Sequence, residues 1–461
     1  MDFKKNTPSL AGHKEEDGSS KEKKEITMIV KNNQALVKNS SFPRQAAKAL
    51  QIVGAGIQAV EVKGAVQSAK LPKLAGFENV YVVGFGKASA AMAEALEKRL
   101  GKRIAGGAVV SVRKAKTMRI RSFVGTHPYP SQKNVAAAKK ILAIAERAGS
   151  NDLVIALVSG GGSSLLALPG KGLNISELRK TNELLIKSKA RVDEINIVRK
   201  HLSMVKGGLL AKAAYPARVH ALIISDAVGD DLETIASAAT FGDRSTFKQA
   251  AMVLKKYKLW KRVPMNVRKR LTLGARGKLP ETPKPGSKIF RKVKNEILLN
   301  NMVALKAMKE NAKKLGLNSV IYSNTVQGEA RNVGKKLVKA AGKRKRPIAL
   351  LAGGETTVKV VGNGKGGRNQ EMVLASLKEL EKLEKAIFVS VGTDGIDGKS
   401  RAAGAIADSH TLKNSIKKSL NFGDFLRRND SNSFFKKGKG EILTGPTGTN
   451  VMDLQLVLAW D

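Results

Sequence analysis

Short β-branched runs that break off in Gly, Ser, Thr or Asp, each followed by an amphipathic stretch, constrain this chain more than any other feature. They read "NVYVVGFG", "GGAVVSV", "DLVIALVSGGG", "VHALIISD", "SVIYSN", "IALLAGGE", "AIFVSVGTDG" and "EILTGPTGTN". Strands alternating with helices argue for an α/β fold with a mostly parallel sheet. In open sheets of this kind ligands gather at the carboxyl ends of strands, where loops lead into helices. The glycine-rich pieces, far apart in sequence, are therefore expected to converge in space.

At 461 residues the chain is long for one core, so two domains are expected. Residues 1–40 are polar and mixed in charge and are read as a mobile lead-in. Helical spacing starts at Phe42, and 41–285 is read as an N-terminal α/β domain. Residues 286–344 are read as a connecting segment packed between lobes, and 345–461 as a smaller C-terminal α/β domain. No internal repeat is found. The chain has no cysteine, which rules out disulfides, thiolate catalysis and cysteine-ligated metal. No signal-like leader and no apolar run of membrane-spanning length is found, so the expected location is the cytoplasm.

The net charge is +45, from 83 basic and 38 acidic residues, and it raises the question of a polyanion partner. From Lys255 to Lys294 Glu281 is the one acid in a strongly basic stretch, and "GKKLVKAAGKRKRP" is a second basic cluster. Both contain Gly and Pro, as surface connections do. Aromatics are 4% and no RNA-binding aromatic motif occurs. Non-specific contact with nucleic acid is the most this pattern implies.

Familiar glycine signatures fail on inspection. "GAGIQA" from Gly54 has the letters of a dinucleotide fingerprint but lies inside a helical pattern. "GFGKAS" from Gly84 follows a strand and lacks the third glycine. No P-loop and no Gly-x-Ser-x-Gly occur.

What remains forms a set suited to an anion. Gly84 and Gly86 let the backbone approach a ligand and place Lys87 at a strand-to-helix turn. Ser159, Gly160, Gly161, Gly162 and Ser163 end another strand, with backbone N–H groups to offer. Asp226 ends a third, with Asp230 close behind and Asp394 in a similar turn further on. These aspartates are candidate Mg²⁺ ligands, and capping a helix is the competing role. Thr444, Gly445, Thr447, Gly448, Thr449 and Asn450 form a candidate phosphate rim. The glycines from Gly362 to Gly367 deliver Arg368 to the front of a helix, where its guanidinium is positioned for a phosphate or carboxylate. An exposed arginine at a helix start opposes the helix dipole, so a purely structural role is less attractive.

Taken in order, "GFGKASAAMA", "GTHPYP", "LVSGGGSSLLALP", "INIVRKHLSMVKGGLLA", "ISDAVGDDLETIAS", "LPETPK", "GGETTVKVVGNGKGGRNQE", "GTDGIDG" and "TGPTGTNVMDL" resemble the glycerate 2-kinases that carry a C-terminal MOFRL domain. The resemblance spans about residues 42–458. It implies a Rossmann-like N-terminal α/β domain, a smaller MOFRL α/β domain and an active site in the cleft between them. It also implies ATP with Mg²⁺ and phosphorylation of D-glycerate at its 2-hydroxyl, by a monomer or homodimer. Lys87, Arg368 and Asp226 match the family's catalytic positions, and Arg199, His201, Lys206, Glu355 and Asn369 are expected at the substrate.

Five positions depart from the family pattern: Ala238-Ala239 for Gly-Pro, Lys189 for Gly, and Ser131 and Arg401 for acids. Two rivals follow. One is a nicotinamide-dependent hydroxypyruvate reductase. The other is a catalytically weakened, basic polyanion-binding relative.

Overall fold

A computed structural model of the chain describes residues 29–461. The lead-in expected over 1–40 lies outside the described residues up to residue 28. The remainder is docked. Helix Asn33–Asn39 buries Leu36, and Lys31 N donates to Leu443 O at 2.7 Å. Asn32 brackets the same edge, donating to Glu441 O at 2.7 Å and accepting from Leu443 N at 3.0 Å.

The first sheet holds β1 (Val80–Phe85), β2 (Ile104–Ser111), β3 (Ile120–Val124), β4 (Leu153–Val158), β5 (Arg218–Ile224) and β6 (Val293–Leu299). Its order is β3-β2-β1-β4-β5-β6 and every pair is parallel. β4 shows why. Leu153, Ile155 and Leu157 enter one core, while Val154, Ala156 and Val158 enter the other. A continuous apolar run suits a strand covered on both faces. Helix Ser89–Leu100 packs on the first face and helix Gln132–Arg147 on the second.

The second sheet holds β7 (Asn318–Val326), β8 (Ile348–Gly354), β9 (Ala386–Gly392), β10 (Gly404–Asp408), β11 (Glu441–Ile442) and β12 (Asp453–Ala459), ordered β11-β10-β9-β12-β8-β7. Here the expectation of a mostly parallel sheet is corrected. β7 and β8 are parallel, and all other pairs are antiparallel. The link from β9 to β10 carries no helix, so the chain returns antiparallel. β12 then inserts between β8 and β9.

Residues 286–344, expected to connect the lobes, are divided between them: β6 closes the first sheet and β7 edges the second. The exchange runs the other way too. Helix Pro43–Gln58, which contains the rejected "GAGIQA", packs on helix Asn301–Lys314 and on β12. A Cβ on Gly56 would sit 2.6 Å from Met308 Cγ, so the close crossing needs glycine there. One hydrophobic core thus runs through both lobes, from Ile155 of β4 to Leu456 of β12.

Candidate active site

β1 and β4 lie side by side, and from them the sheet is built outward in opposite directions. Strand order 3-2-1-4-5-6 puts the topological switch point between them, where loops diverge and leave a crevice. The loops leaving this pair are stitched together. Lys87 N donates to Gly160 O at 2.8 Å, and Ala88 N donates to Ser159 Oγ at 3.1 Å. Gly86 has φ +125°, and a Cβ there would fall 2.2 Å from Ser159 Oγ. Only glycine permits this contact.

Lys87 stands on that seam with its side chain exposed. Its ammonium makes no hydrogen bond or ion pair among the described residues. His127 lies beside it: one point in space, the Cβ site of Gly161, is 3.0 Å from His127 Nε2 and 3.2 Å from Lys87 Cγ. Burial and the neighbouring ammonium hold the His127 pKa below its ordinary value, so the ring is neutral at pH 7.

Asp226 follows β5. A Cβ on Gly160 would lie 2.2 Å from its Oδ2, so Gly160 leaves room for the carboxylate. Burial, helped by the negative charge of Glu355, pushes Asp226 up to about 6, with Lys87 pulling the other way. Glu355, just past β8, belongs to the second lobe. Its Oε1 lies 2.9 Å from Arg368 Nη1. The walls carrying Asp226 and Glu355 enclose a cleft of about 1510 Å³ between the lobes.

The glycines ahead of Arg368 have a packing cause. Residues 362–367 lie flush against backbone, and Cβ atoms on Gly362 and Gly364 would come within 2.4 Å and 2.6 Å of Arg428 O. A Cβ on Gly367 would strike Asp397 Oδ1 at 2.3 Å. Asn429 fastens this strap: its Oδ1 accepts from Val361 N at 2.8 Å and Gly362 N at 3.0 Å, while Nδ2 reaches Glu371 Oε2 at 3.1 Å. Asp397 caps the helix Arg368–Ala375 from outside, accepting from Asn369 N at 3.0 Å and Gln370 N at 2.9 Å. Arg368 therefore emerges at a fixed place in the cleft.

Its guanidinium is already engaged there. Nε and Nη2 meet Asp453 Oδ2 and Oδ1 at 2.5 and 3.0 Å. Burial favours the neutral forms, and even against the pull of Arg368 it leaves Asp453 raised to about 6. Their mutual attraction keeps both charged at pH 7 and lifts the arginine pKa. The bidentate contact expected for a ligand is made inside the protein.

Among the residues singled out from sequence, Gly161, Ser163, Arg199, Asp226, Glu355 and Arg368 line the cleft. Gly86, Lys87, Gly160 and Gly162 do not line it themselves, but Lys87 Cγ comes within 3.2 Å of the Cβ site of Gly161, which does. Others lie away from it. Gly84 is inside β1, where a Cβ would meet Val109 Cγ1 at 2.7 Å. Ser159 is buried and spends its hydroxyl on Ala88 N. His201 is buried against Phe247 and contacts Ile197 O at 2.8 Å and Glu281 Oε2 at 3.2 Å. Lys206 is buried under the glycine loop and donates to Ser163 O and Leu166 O, both at 2.7 Å. Asn369 is buried between Asp397 and Ser390.

The rim expected from Thr444, Gly445, Thr447, Gly448, Thr449 and Asn450 does not line the cleft either. It packs on the turn after β9, with Thr447 Oγ1 donating to Thr393 O at 2.5 Å and Gly395 pressed against Gly445 O. Nor do the three aspartates meet. Asp230 Oδ2 accepts from Asn300 Nδ2 at 2.6 Å, and Asp394 Oδ1 from Ile396 N at 3.1 Å. Among the described residues no group of three His, Cys, Asp or Glu side chains is gathered for a metal. Asp226 and Glu355 face the cleft, as do Asp193 and Glu371, each of the latter two paired with an arginine.

The departures from the family pattern now have a structural meaning. Lys189 and Ala238 adopt φ +57° and +56°, conformations that favour glycine. Ser131 begins helix Gln132–Arg147, and its N–H donates to Asn134 Oδ1 at 3.0 Å, so a cap survives there. Arg401 is exposed and no contact explains it.

Sequence reasoning missed His127, Arg179, Asn429 and Asp453 as site residues. Asp453 left a signal, a charge at the head of the otherwise apolar run "DLQLVLA", and His127 lies inside the motif "GTHPYP".

Two family models match the chain. One is described as a domain of unknown function, DUF4147, over residues 46–272, and the other as the MOFRL family over residues 348–453. The chain is 40% identical to a glycerate 2-kinase of Pyrococcus horikoshii, over 82% of this chain and 87% of that protein. It is 39% identical to a D-glycerate 2-kinase of Thermotoga maritima, over 88% and 96% respectively. The chain belongs to the glycerate 2-kinase family. A solved structure of the Thermotoga maritima glycerate kinase superposes on this member with TM-score 0.80 at 38% identity, covering 89% of this chain and 98% of that one. A relative in Agrobacterium vitis, 37% identical over 82% of this chain and 86% of its own, is provisionally named a hydroxypyruvate reductase.

Proposed function

We propose that the protein transfers the γ-phosphoryl group of ATP to the 2-hydroxyl of D-glycerate in the cleft between its lobes. The observation that carries this reading is the placement of an unpartnered Lys87 and the Asp226 carboxylate at the strand ends around one switch point, opposite Glu355 and Arg368. Phosphoryl transfer asks mainly for positioning and for charge at fixed places. The hydroxyl oxygen bonds to the γ-phosphorus, the bond to the β-phosphate oxygen breaks, and ADP leaves. Asp226, with a pKa of about 6, orients the hydroxyl and takes its proton. Lys87 faces the charge on the transferring group; its ammonium is attracted to Asp226 but makes no hydrogen bond or ion pair with it among the described residues. Arg368, clamped by Asp453, holds Glu355 in place.

Mg²⁺ fits this donor set. Asp226 and Glu355 are hard oxygen donors whose charges oppose one another, and such a pair plus phosphate oxygens is a common magnesium environment. One Asp226 oxygen would suffice for it, leaving the other for the hydroxyl. The ion, when bound, supplies neutralisation of phosphate charge. No role for Asp230 or Asp394 as ligands is included, because neither faces the cleft.

A reductase reading has one point in favour, since β3-β2-β1-β4-β5-β6 is also the strand order of dinucleotide-binding sheets. The turn after β1 reads Gly84-Phe85-Gly86-Lys87-Ala88-Ser89, with serine where the third glycine belongs. The experiment is an ADP-release assay with D-glycerate and MgATP, followed by identification of the phosphoglycerate isomer, beside an NADH-oxidation assay with hydroxypyruvate. ADP release yielding 2-phosphoglycerate supports the kinase. NADH oxidation without ADP release would replace it.

A further inference from the structure

Charge pairing in the cleft is uneven. On the second lobe Arg368 is matched by Asp453 and Glu355, and Glu371 by Arg331 at 2.7 Å. On the first lobe Arg191 is matched by Asp193 at 3.1 Å, and two further guanidiniums have no carboxylate partner among the described residues. Helix Ile175–Lys187 presents Arg179, Asn182 and Ile186 to the cleft at i, i+3 and i+7, and helix Val192–His201 presents Val192, Asn196 and Arg199 at i, i+4 and i+7. These spacings put each trio on one helix face.

Arg199 is largely desolvated, which depresses its pKa. Its one hydrogen bond among the described residues runs from Nε to Asn182 Oδ1, at 3.1 Å. The four N–H bonds of its two Nη atoms have no acceptor among the described residues. Arg179 makes no hydrogen bond among the described residues, and its guanidinium lies 5.9 Å from the Tyr129 ring centroid. Arg199 also adds to the effect of burial on Lys206, whose pKa falls to about 7. The cation is thus felt by the lysine that holds up the Ser163 loop. A desolvated arginine without a counter-charge is costly, and a bound anion relieves that cost.

We propose that Arg199, Arg179 and Asn182 form an oxyanion subsite on the N-terminal wall of the cleft, separate from Arg368. It is filled by a phosphate of the nucleotide or by the carboxylate of the acid, both planar or tetrahedral oxyanions that an arginine fork reads well. The inference deepens the kinase reading and rests on it only for the identity of the ligand. Arg368 cannot serve the same purpose without giving up Asp453 or Glu355.

The test uses the full chain and two probes, inorganic tripolyphosphate and D-glycerate, titrated by calorimetry into the wild type, Arg199→Gln and Arg179→Gln. Expected is at least a tenfold weakening of one probe in Arg199→Gln, a smaller loss of the same probe in Arg179→Gln, and the other probe unchanged within twofold. Loss of tripolyphosphate assigns the subsite to the nucleotide, and loss of D-glycerate assigns it to the acid. Arg199→Lys should not restore binding, because a point charge lacks the fork. Folded variants that bind both probes like the wild type would overturn the proposal, as would a wild type that binds neither. A chain that binds tripolyphosphate through Arg199 yet releases no ADP with D-glycerate keeps the subsite and loses the kinase assignment.

Discussion

The guanidinium of Arg368 forks onto the Asp453 carboxylate, which sits at the first residue of β12 while the arginine opens helix Arg368–Ala375. The pair ties the strap's end to a central strand, so the arginine is structural and electrostatic at once. Breaking a buried pair strands the remaining charge, which costs about 3 kcal/mol or more. Arg368→Ala and Asp453→Ala should each lower stability in urea unfolding by about that amount. Arg368→Lys should recover little of it. An Arg368→Ala protein as stable as the wild type would show that the fork contributes nothing.

Lys87 should behave differently. Its ammonium has no partner among the described residues, so Lys87→Ala should leave the urea midpoint unchanged. Turnover should fall at least about 100-fold, as on losing one preorganised donor. Near-normal kcat in a folded variant would remove Lys87 from the scheme.

Asp226 carries a pH signature. Its folded pKa, about 6, lies above the ordinary 3.8. Between those values the folded state binds more protons than the unfolded one, so the stability contributed by this group falls as pH rises from about 4 to about 6. Above that range the ionised carboxylate is a standing cost. Asp226→Asn should therefore be more stable than the wild type at pH 8, by about 1 kcal/mol, with the gap closing toward pH 4. Wild-type turnover should decline below about pH 6, as the carboxylate is protonated. Equal stability of the two proteins at every pH would contradict this.

The strap is testable at Gly364, whose N–H donates to Arg428 O at 2.9 Å and whose Cβ would fall 2.5 Å from Asp430 Cβ. Gly364→Ala has to lift the strap from that backbone. We expect kcat/KM for D-glycerate to drop at least tenfold (about 1.4 kcal/mol). Gly76→Ala, whose Cβ would meet nothing within 4 Å, is the control and should match the wild type.

Lys189 ends helix Ile175–Lys187 in a left-handed conformation, with its N–H on Ile186 O at 3.0 Å and the Ala190 N–H on Leu185 O at 3.2 Å. Glycine is the favoured residue in this kind of cap. Lys189→Gly should stabilise the protein by about 1 kcal/mol, read as a higher melting temperature with unchanged turnover.

Local chemistry was legible in the sequence wherever neighbouring residues decide it. The apolar run of β4 fixed a strand buried on both faces, and "GAGIQA" revealed itself as helix through its spacing. The glycines before Lys87 and Arg368 announced close backbone approach, because only a residue without Cβ fits there. Tertiary structure decided what those loops meet. No spacing rule brings Asp453 to Arg368 across 85 positions of chain, or gives Asn429 the strap to hold. Nor does any rule take the Thr444–Asn450 turn away from the cleft. A residue's type and its neighbours set its conformational freedom, whereas its charge partner depends on the order in which the twelve strands of the described residues are laid into two sheets. That order rests on burial summed over the whole chain.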